Sequence, residues 1–150
     1  MQPFPHQYRA QLSAGSDGYG RLTGANLPLL DTASPVEFGG PGDAWSPEQL
    51  LLGAVEACFL FTLRAVARAS KLDVMGVDVE ATGTVERQER IVRFTAIALH
   101  PVIRVPVGTD RERVLKVVEK TEANCLVTAS LLTPVRVTPE IRYEAVAQPA

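Results

Sequence analysis

Cysteine and histidine are both scarce in this chain, with two of each in 150 residues. Cys58 and Cys125 lie 67 positions apart, and His6 and His100 are distant from each other. That spacing argues against a structural zinc site, which needs close ligand pairs. Positive charge is not in excess either. Fifteen Lys and Arg stand against 17 Asp and Glu, so the basic stripe of a nucleic-acid binder is missing. The first residues, Met1-Gln2-Pro3-Phe4-Pro5-His6, lack the basic region and apolar core of a secretory signal. The longest apolar stretch, residues 50–63, contains Glu56 and is shorter than the ~20 residues of a membrane span. No Gly-Lys-Ser/Thr follows Gly39-Gly40-Pro41-Gly42, so this is not a phosphate loop. No internal repeat or low-complexity linker divides the chain. These exclusions point to one soluble, cytoplasmic domain spanning all 150 residues, without membrane or nucleic-acid partners. In that compartment thiols are kept reduced, and a disulfide is usually transient and catalytic.

What is present reads as α+β. Residues 8–14 and 20–23 have strand character, and Ala14-Gly15-Ser16-Asp17-Gly18 between them has hairpin-turn chemistry. Residues 27–30 are a candidate third strand, and residues 35–45 a glycine-rich loop. A helix is predicted from Pro47 to about Ser70. Ser46 suits the N-cap, Pro47 the first helical position, and Gln49 completes a capping box. Two long strands follow, residues 77–86 and 91–105, turning near Gln88-Glu89-Arg90. Residues 110–122 are a second helix with Thr109 or Asp110 as cap, and residues 126–132 a short third one. Val135, Val137, Ile141 and Tyr143 suit a last strand. Strands, long helix, strands, helix pair, strand is an α+β order.

The long helix is apolar on nearly every face between residues 50 and 63. A helix of that kind is buried all round, and one small domain rarely surrounds it. Packing against a second copy of itself is the natural solution, so a homodimer is expected.

Cys58 lies within this helix, and Cys125 follows the second helix and opens the third. The plain reading of both is packing, because free cysteine is often buried. The chemical reading makes Cys58 a peroxidatic thiol, whose thiolate attacks an O–O bond and needs a stabilising partner. Cys125 is then a resolving thiol that condenses with the Cys58 sulfenic acid. Glu48, in the first turn, reads most simply as a favourable charge at the helix N-terminus. It stands ten positions before Cys58, ~15 Å along one helix, so a role at Cys58 calls for the two-fold-related subunit. Glu56 is expected to meet a basic group or solvent. Phe38 and Trp45 are candidates for an apolar wall.

The segment Glu37-Phe38-Gly39-Gly40-Pro41-Gly42-Asp43-Ala44-Trp45-Ser46-Pro47-Glu48-Gln49-Leu50-Leu51, then Cys58-Phe59 and Asn124-Cys125, resembles the OsmC/Ohr family of osmotically inducible and organic-hydroperoxide-resistance proteins. The resemblance spans nearly the whole chain. It implies an intertwined α+β homodimer with two sites at the subunit interface and no cofactor or metal. It implies that Cys58 is peroxidatic, Cys125 resolving, and Glu48 the acid that orients an arginine. The implied substrate is an organic hydroperoxide, and the implied reductant a dithiol such as a lipoylated protein. The family's arginine falls in a Gly-Gly-Arg-Asp-Gly turn, where this chain has Ser16. Arg21, just beyond the turn, is the candidate replacement, and Arg9 a weaker one. Leu126 stands where the family commonly has proline. These departures indicate a less characterised OsmC-like branch. A dimer that binds an apolar molecule or senses redox state, without enzymatic activity, is the competing expectation.

Overall fold

The structure is a computed structural model that describes residues 3–145. It divides into two compact units whose boundary falls inside the long helix, between Leu51 and Leu52. The α+β class expected from the sequence is observed.

The first unit holds a three-stranded antiparallel meander, β1 (Gln11–Ala14), β2 (Gly20–Thr23) and β3 (Leu30–Thr32). The first turn runs from Ala14 to Gly20, which face each other in register. Gly18 takes a left-handed φ of 84° there, and Asp17 accepts the Tyr19 N–H at 3.2 Å. β3 begins three residues later than expected. Gly24 accepts the Leu27 N–H at 3.1 Å, and Asn26 is left-handed, so a turn occupies the residues that would have opened the strand. A 3₁₀ turn at Val36–Phe38 interrupts the predicted loop and ends on left-handed Gly39. Gly40 is obligatory beside it, because a Cβ there would stand 1.6 Å from the Ser34 carbonyl oxygen.

α1 (Pro47–Ala69) starts as the spacing predicts. Ser46 Oγ accepts the Gln49 N–H at 3.2 Å, and Gln49 Oε1 accepts the Ser46 N–H at 3.0 Å. Two otherwise orphaned donors are satisfied by this exchange. At the other end, Arg113 Nη2 donates to the carbonyls of Ser70 and Lys71 at 2.7 and 2.6 Å. A cation suits that end of a helix.

The second unit is built on β5 (Ile91–Pro106). On one side it pairs antiparallel with β4 (Gly76–Gln88), with a bulge at Thr84/Val85. On the other it pairs in parallel with β6 (Val135–Val137) and then β7 (Glu140–Glu144). The predicted single last strand is thus two, parted at Thr138-Pro139, where the Thr138 N–H donates to Leu99. Pro101 falls where β5 changes partner from β6 to β7. β5 alternates strictly: Ile97, Leu99, Pro101, Ile103 and Val105 are buried and their neighbours are not. α2 (Arg111–Asn124) is capped by Asp110, whose carboxylate accepts the Glu112 N–H. α3 (Leu126–Ala129) follows at once.

Val55, Phe59, Leu63 and Ala67 form one buried stripe along α1. They pack with the inward side chains of β5 and with Val114, Val117 and Val118 of α2. Other positions of α1 are not covered by this chain, and Phe61 is 64% exposed. Burial all round, expected from the sequence, is therefore not reached within one chain. By length and composition alone α1 could cross a membrane; its i, i+4 stripe set into a core is what a core helix shows.

Candidate active site

The fold brings Cys58 and Cys125 together from the middle of α1 and from the break between α2 and α3. Cys58 sits one position before buried Phe59, so it borders the core stripe and is half-buried. Cys125 is 1% exposed. It ends α2 and caps α3 in an extended conformation, φ −74° and ψ 108°. That break turns the backbone so that the Val127 N–H donates to Cys58 Sγ at 3.5 Å. The Cys125 thiol lies near enough to the Cys58 sulfur for each to shift the other's titration.

The two thiols are driven in opposite directions. Burial pushes Cys58 up, but the Val127 N–H, the Cys125 thiol, the Thr62 hydroxyl and the Leu126 N–H outweigh it. The net result lies below the ordinary thiol value. Each of these groups favours the charged form by donating to it. Cys125 goes the other way. Burial raises it most, the Thr128 hydroxyl and N–H partly offset that, and the charge on Cys58 raises it further. Cys58 is therefore the thiol that ionises first, and Cys125 the one that keeps its proton. A pair split in this way can hold one nucleophile and one reserve thiol.

Cys125 also lines a cavity of about 400 Å³ in the second unit, with Phe59, Leu99, Leu131, Val135 and Glu122. Burial, then the charge of Glu119, pushes the Glu122 carboxyl up. Among the described residues no three His, Cys, Asp or Glu side chains cluster to hold a metal ion.

Glu48 and Arg21 belong to the first unit. Arg21 Nη2 lies 2.6 Å from Asp17 and its Nε 4.0 Å from Asp31. Its guanidinium is thus engaged by two carboxylates of its own meander. Glu48 Oε2 is buried and has no hydrogen-bond partner among the described residues. Phe38 and Trp45 are exposed. Thr62 and Thr128 were not singled out in the sequence, although each has a readable signal. Thr62 is one helical turn past Cys58, and Thr128 three positions past Cys125. The Val127 amide has no signal at all, because a backbone donor is visible only once the chain is folded.

The family model described as OsmC-like protein matches residues 40–140. The uncharacterised protein YmaD of Bacillus subtilis is 24% identical over 126 residues, 82% of this chain and 83% of that protein. An organic hydroperoxide resistance protein of Xanthomonas axonopodis pv. citri is 30% identical over 121 residues, 79% of this chain and 82% of that protein. The crystal structure of an organic hydroperoxide resistance protein OsmC from Legionella pneumophila superposes with a TM-score of 0.73 at 26% identity. It covers 93% of this chain and 99% of the other. The match to the family model includes both cysteines and the start of α1, and the chain belongs to the OsmC-like family.

Proposed function

We propose that this protein is a thiol-dependent peroxidase that reduces hydroperoxides, organic ones in preference. The observation that carries the reading is the Val127 N–H on Cys58 Sγ, donated from the break that Cys125 opens, with the Cys125 thiol close to the same sulfur. The Cys58 thiolate attacks the outer oxygen of the hydroperoxide. The O–O bond breaks, the alkoxide takes a proton and leaves as the alcohol, and Cys58 becomes a sulfenic acid. Cys125 then attacks that sulfur, water leaves, and a disulfide forms. A dithiol reduces it, is itself oxidised to a disulfide, and returns both thiols. A lipoylated protein is a reductant of this class. A reducing compartment such as the cytoplasm suits the cycle.

A homodimer is part of the reading. Phe61 and other apolar positions of α1 lie open on a single chain, and a second copy would cover them. Among the described residues Glu48 Oε2 has no donor, and a buried oxygen without one is costly; a second copy could supply it. Arg21, the candidate cation, would have to leave Asp17 to serve Cys58. The cavity beside Cys125 favours one competing reading, a non-enzymatic dimer that binds an apolar molecule there. Peroxide consumption by the purified protein with dithiothreitol decides between them. The peroxidase reading expects cumene hydroperoxide to be consumed faster than hydrogen peroxide, and loss of both activities in Cys58→Ser. Consumption of neither peroxide would leave the binding reading.

A further inference from the structure

We infer that Glu122 is the base that takes the proton of Cys125 as this thiol attacks the Cys58 sulfur, through water held in the cavity that Glu122 and Cys125 share. The inference deepens the peroxidase reading and rests on its pairing of Cys58 with Cys125.

The need for a base comes from burial. A sulfur attacks as the thiolate. Cys125 is 1% exposed, and burial holds its thiol above the ordinary value. It therefore meets the Cys58 sulfur still carrying its proton, and that proton must go to a group within reach.

The cavity supplies one. It has a volume of about 400 Å³ and is lined by both residues. Cys125 enters it from the break between α2 and α3, and Glu122 from the last turn of α2. The Cys125 N–H donates to the Glu122 carbonyl at 3.4 Å, so the two stand one turn apart, at the spacing that places side chains on one face. Around them α1, β5 and β6 contribute Phe59, Leu99, Val135 and Val137, none of which ionises. Arg136, between the last two, belongs to the other face of the strand. α3 and the segment after it add the hydroxyls of Thr128 and Thr133. Apart from Cys125, Glu122 is thus the one ionisable side chain among the described residues that line this space. The two hydroxyls each donate to a backbone carbonyl at 3.0 Å and keep oxygen lone pairs for water. A cavity with several polar groups and this much room holds water, which carries a proton between groups that do not touch.

The step balances. Cys125 Sγ forms the S–S bond as the S–O bond of the Cys58 sulfenic acid breaks. The Cys125 sulfur is oxidised by one level and the Cys58 sulfur is reduced by one. The thiol proton passes to the Glu122 carboxylate, and the departing hydroxide takes a proton from there and leaves as water. Glu122 ends the step ionised, as it began. Burial, then the charge of Glu119, raises its carboxyl, which makes the carboxylate a stronger base than a solvated one.

The test needs no peroxide. One equivalent of methyl methanethiosulfonate converts Cys58 to its methyl disulfide and releases methanesulfinate. Cys125 then displaces methanethiolate from the Cys58 sulfur, and intact mass follows the loss of the methylthio group across about pH 4 to 9. In the parent protein the rate should rise in two limbs, one in the carboxyl range and one in the thiol range. Glu122→Gln should remove the first limb and slow the exchange ~10²-fold at about pH 7. Glu119→Gln leaves the base in place and should move the first limb down by ~0.2–0.4 pH unit. A Glu122→Gln profile equal to the parent's would overturn the inference. So would a uniformly slower profile with the first limb intact, which marks a structural role. If Glu122→Gln does not fold, judged by circular dichroism, Glu119→Gln decides alone, and an unmoved limb overturns the inference. Loss of the first limb in a protein that consumes no peroxide would sink the peroxidase reading and leave Glu122 as the base. An active peroxidase whose exchange ignores Glu122 would do the reverse.

Discussion

Cys125→Ser separates the two halves of the proposed cycle. The serine hydroxyl is slightly smaller than the thiol and keeps a donor toward Cys58. Thr128 remains beside it, since its hydroxyl already donates to the Cys125 carbonyl at 3.0 Å. The site is 1% exposed, so exchanging a thiol for a hydroxyl costs on the order of 1–3 kcal/mol where pairing is incomplete. That is a fraction of the stability of a domain this size, and the variant should fold. Its chemistry should change far more. In the parent protein the Cys58 sulfenic acid meets a thiol that the fold already holds close to it. Well-oriented groups act at effective molarities of ~10⁵ M or more. Against external thiol at ~1 mM, that is a ~10⁸-fold advantage, and poor alignment could consume much of it. A loss of at least ~10³ in the rate of resolution should survive such a discount. The assay is rapid mixing with one equivalent of cumene hydroperoxide, followed by steady-state turnover with dithiothreitol. Cys125→Ser should consume its first equivalent, accumulate a sulfenic acid that dimedone captures, and then nearly stop. Turnover at the parental rate would refute the reasoning: an external thiol would be reducing Cys58 directly, and Cys125 would be a packing residue.

Arg21→Ala should move the pH midpoint of iodoacetamide alkylation at Cys58 by less than ~0.3 unit, because the guanidinium is committed to Asp17 and Asp31; a rise of ~1 unit, about 1.4 kcal/mol, would restore Arg21 as the thiolate's cation. Stability should follow pH through both thiols, with opposite signs. Cys58 is held below the ordinary thiol value, so its contribution is lost as pH falls through its folded titration and is complete above ~8.5. Cys125 is held above it, so its contribution is complete below ~8.5 and is lost as pH rises through its folded titration. Each limb has a slope of at most ~1.4 kcal/mol per pH unit; in urea titrations Cys58→Ser should flatten the rising limb and Cys125→Ser the falling one. Phe61→Glu should weaken the proposed dimer by ~2–3 kcal/mol, a ~30- to 150-fold rise in dissociation constant by sedimentation; a parent protein that is monomeric at micromolar concentration would end the dimer proposal.

The elements that sequence rules read well are those settled locally. The Ser46/Gln49 capping box, the Asp110 cap and the two-residue alternation of Val77, Val79 and Ala81 with Asp78, Glu80 and Thr82 along β4 depend on near neighbours, and each formed as its spacing indicates. Errors came where a turn competed with a strand. Gly24 and Asn26 close a turn that delays β3. β1 reaches back only to Gln11, where its partner β2 ends at Thr23. α3 stops at Ala129, with Ser130 turning its hydroxyl back to the Leu126 carbonyl at 2.9 Å. The candidate site divides in the same way. The cysteines could be named from their sequence context. Their proximity could not, since it depends on how α1 meets the α2–α3 break. Arg21 looked free as a residue type, and only the folded meander shows Asp17 and Asp31 on either side of it.

The most direct test of the redox pair is the mass of the intact protein after one equivalent of organic hydroperoxide and exhaustive alkylation under denaturing conditions. The account predicts a chain two hydrogens lighter that takes up no alkylating agent, with Cys58 and Cys125 linked in a single peptide pair. A chain that still takes up two alkyl groups would contradict it, and would return both cysteines to the core as packing residues.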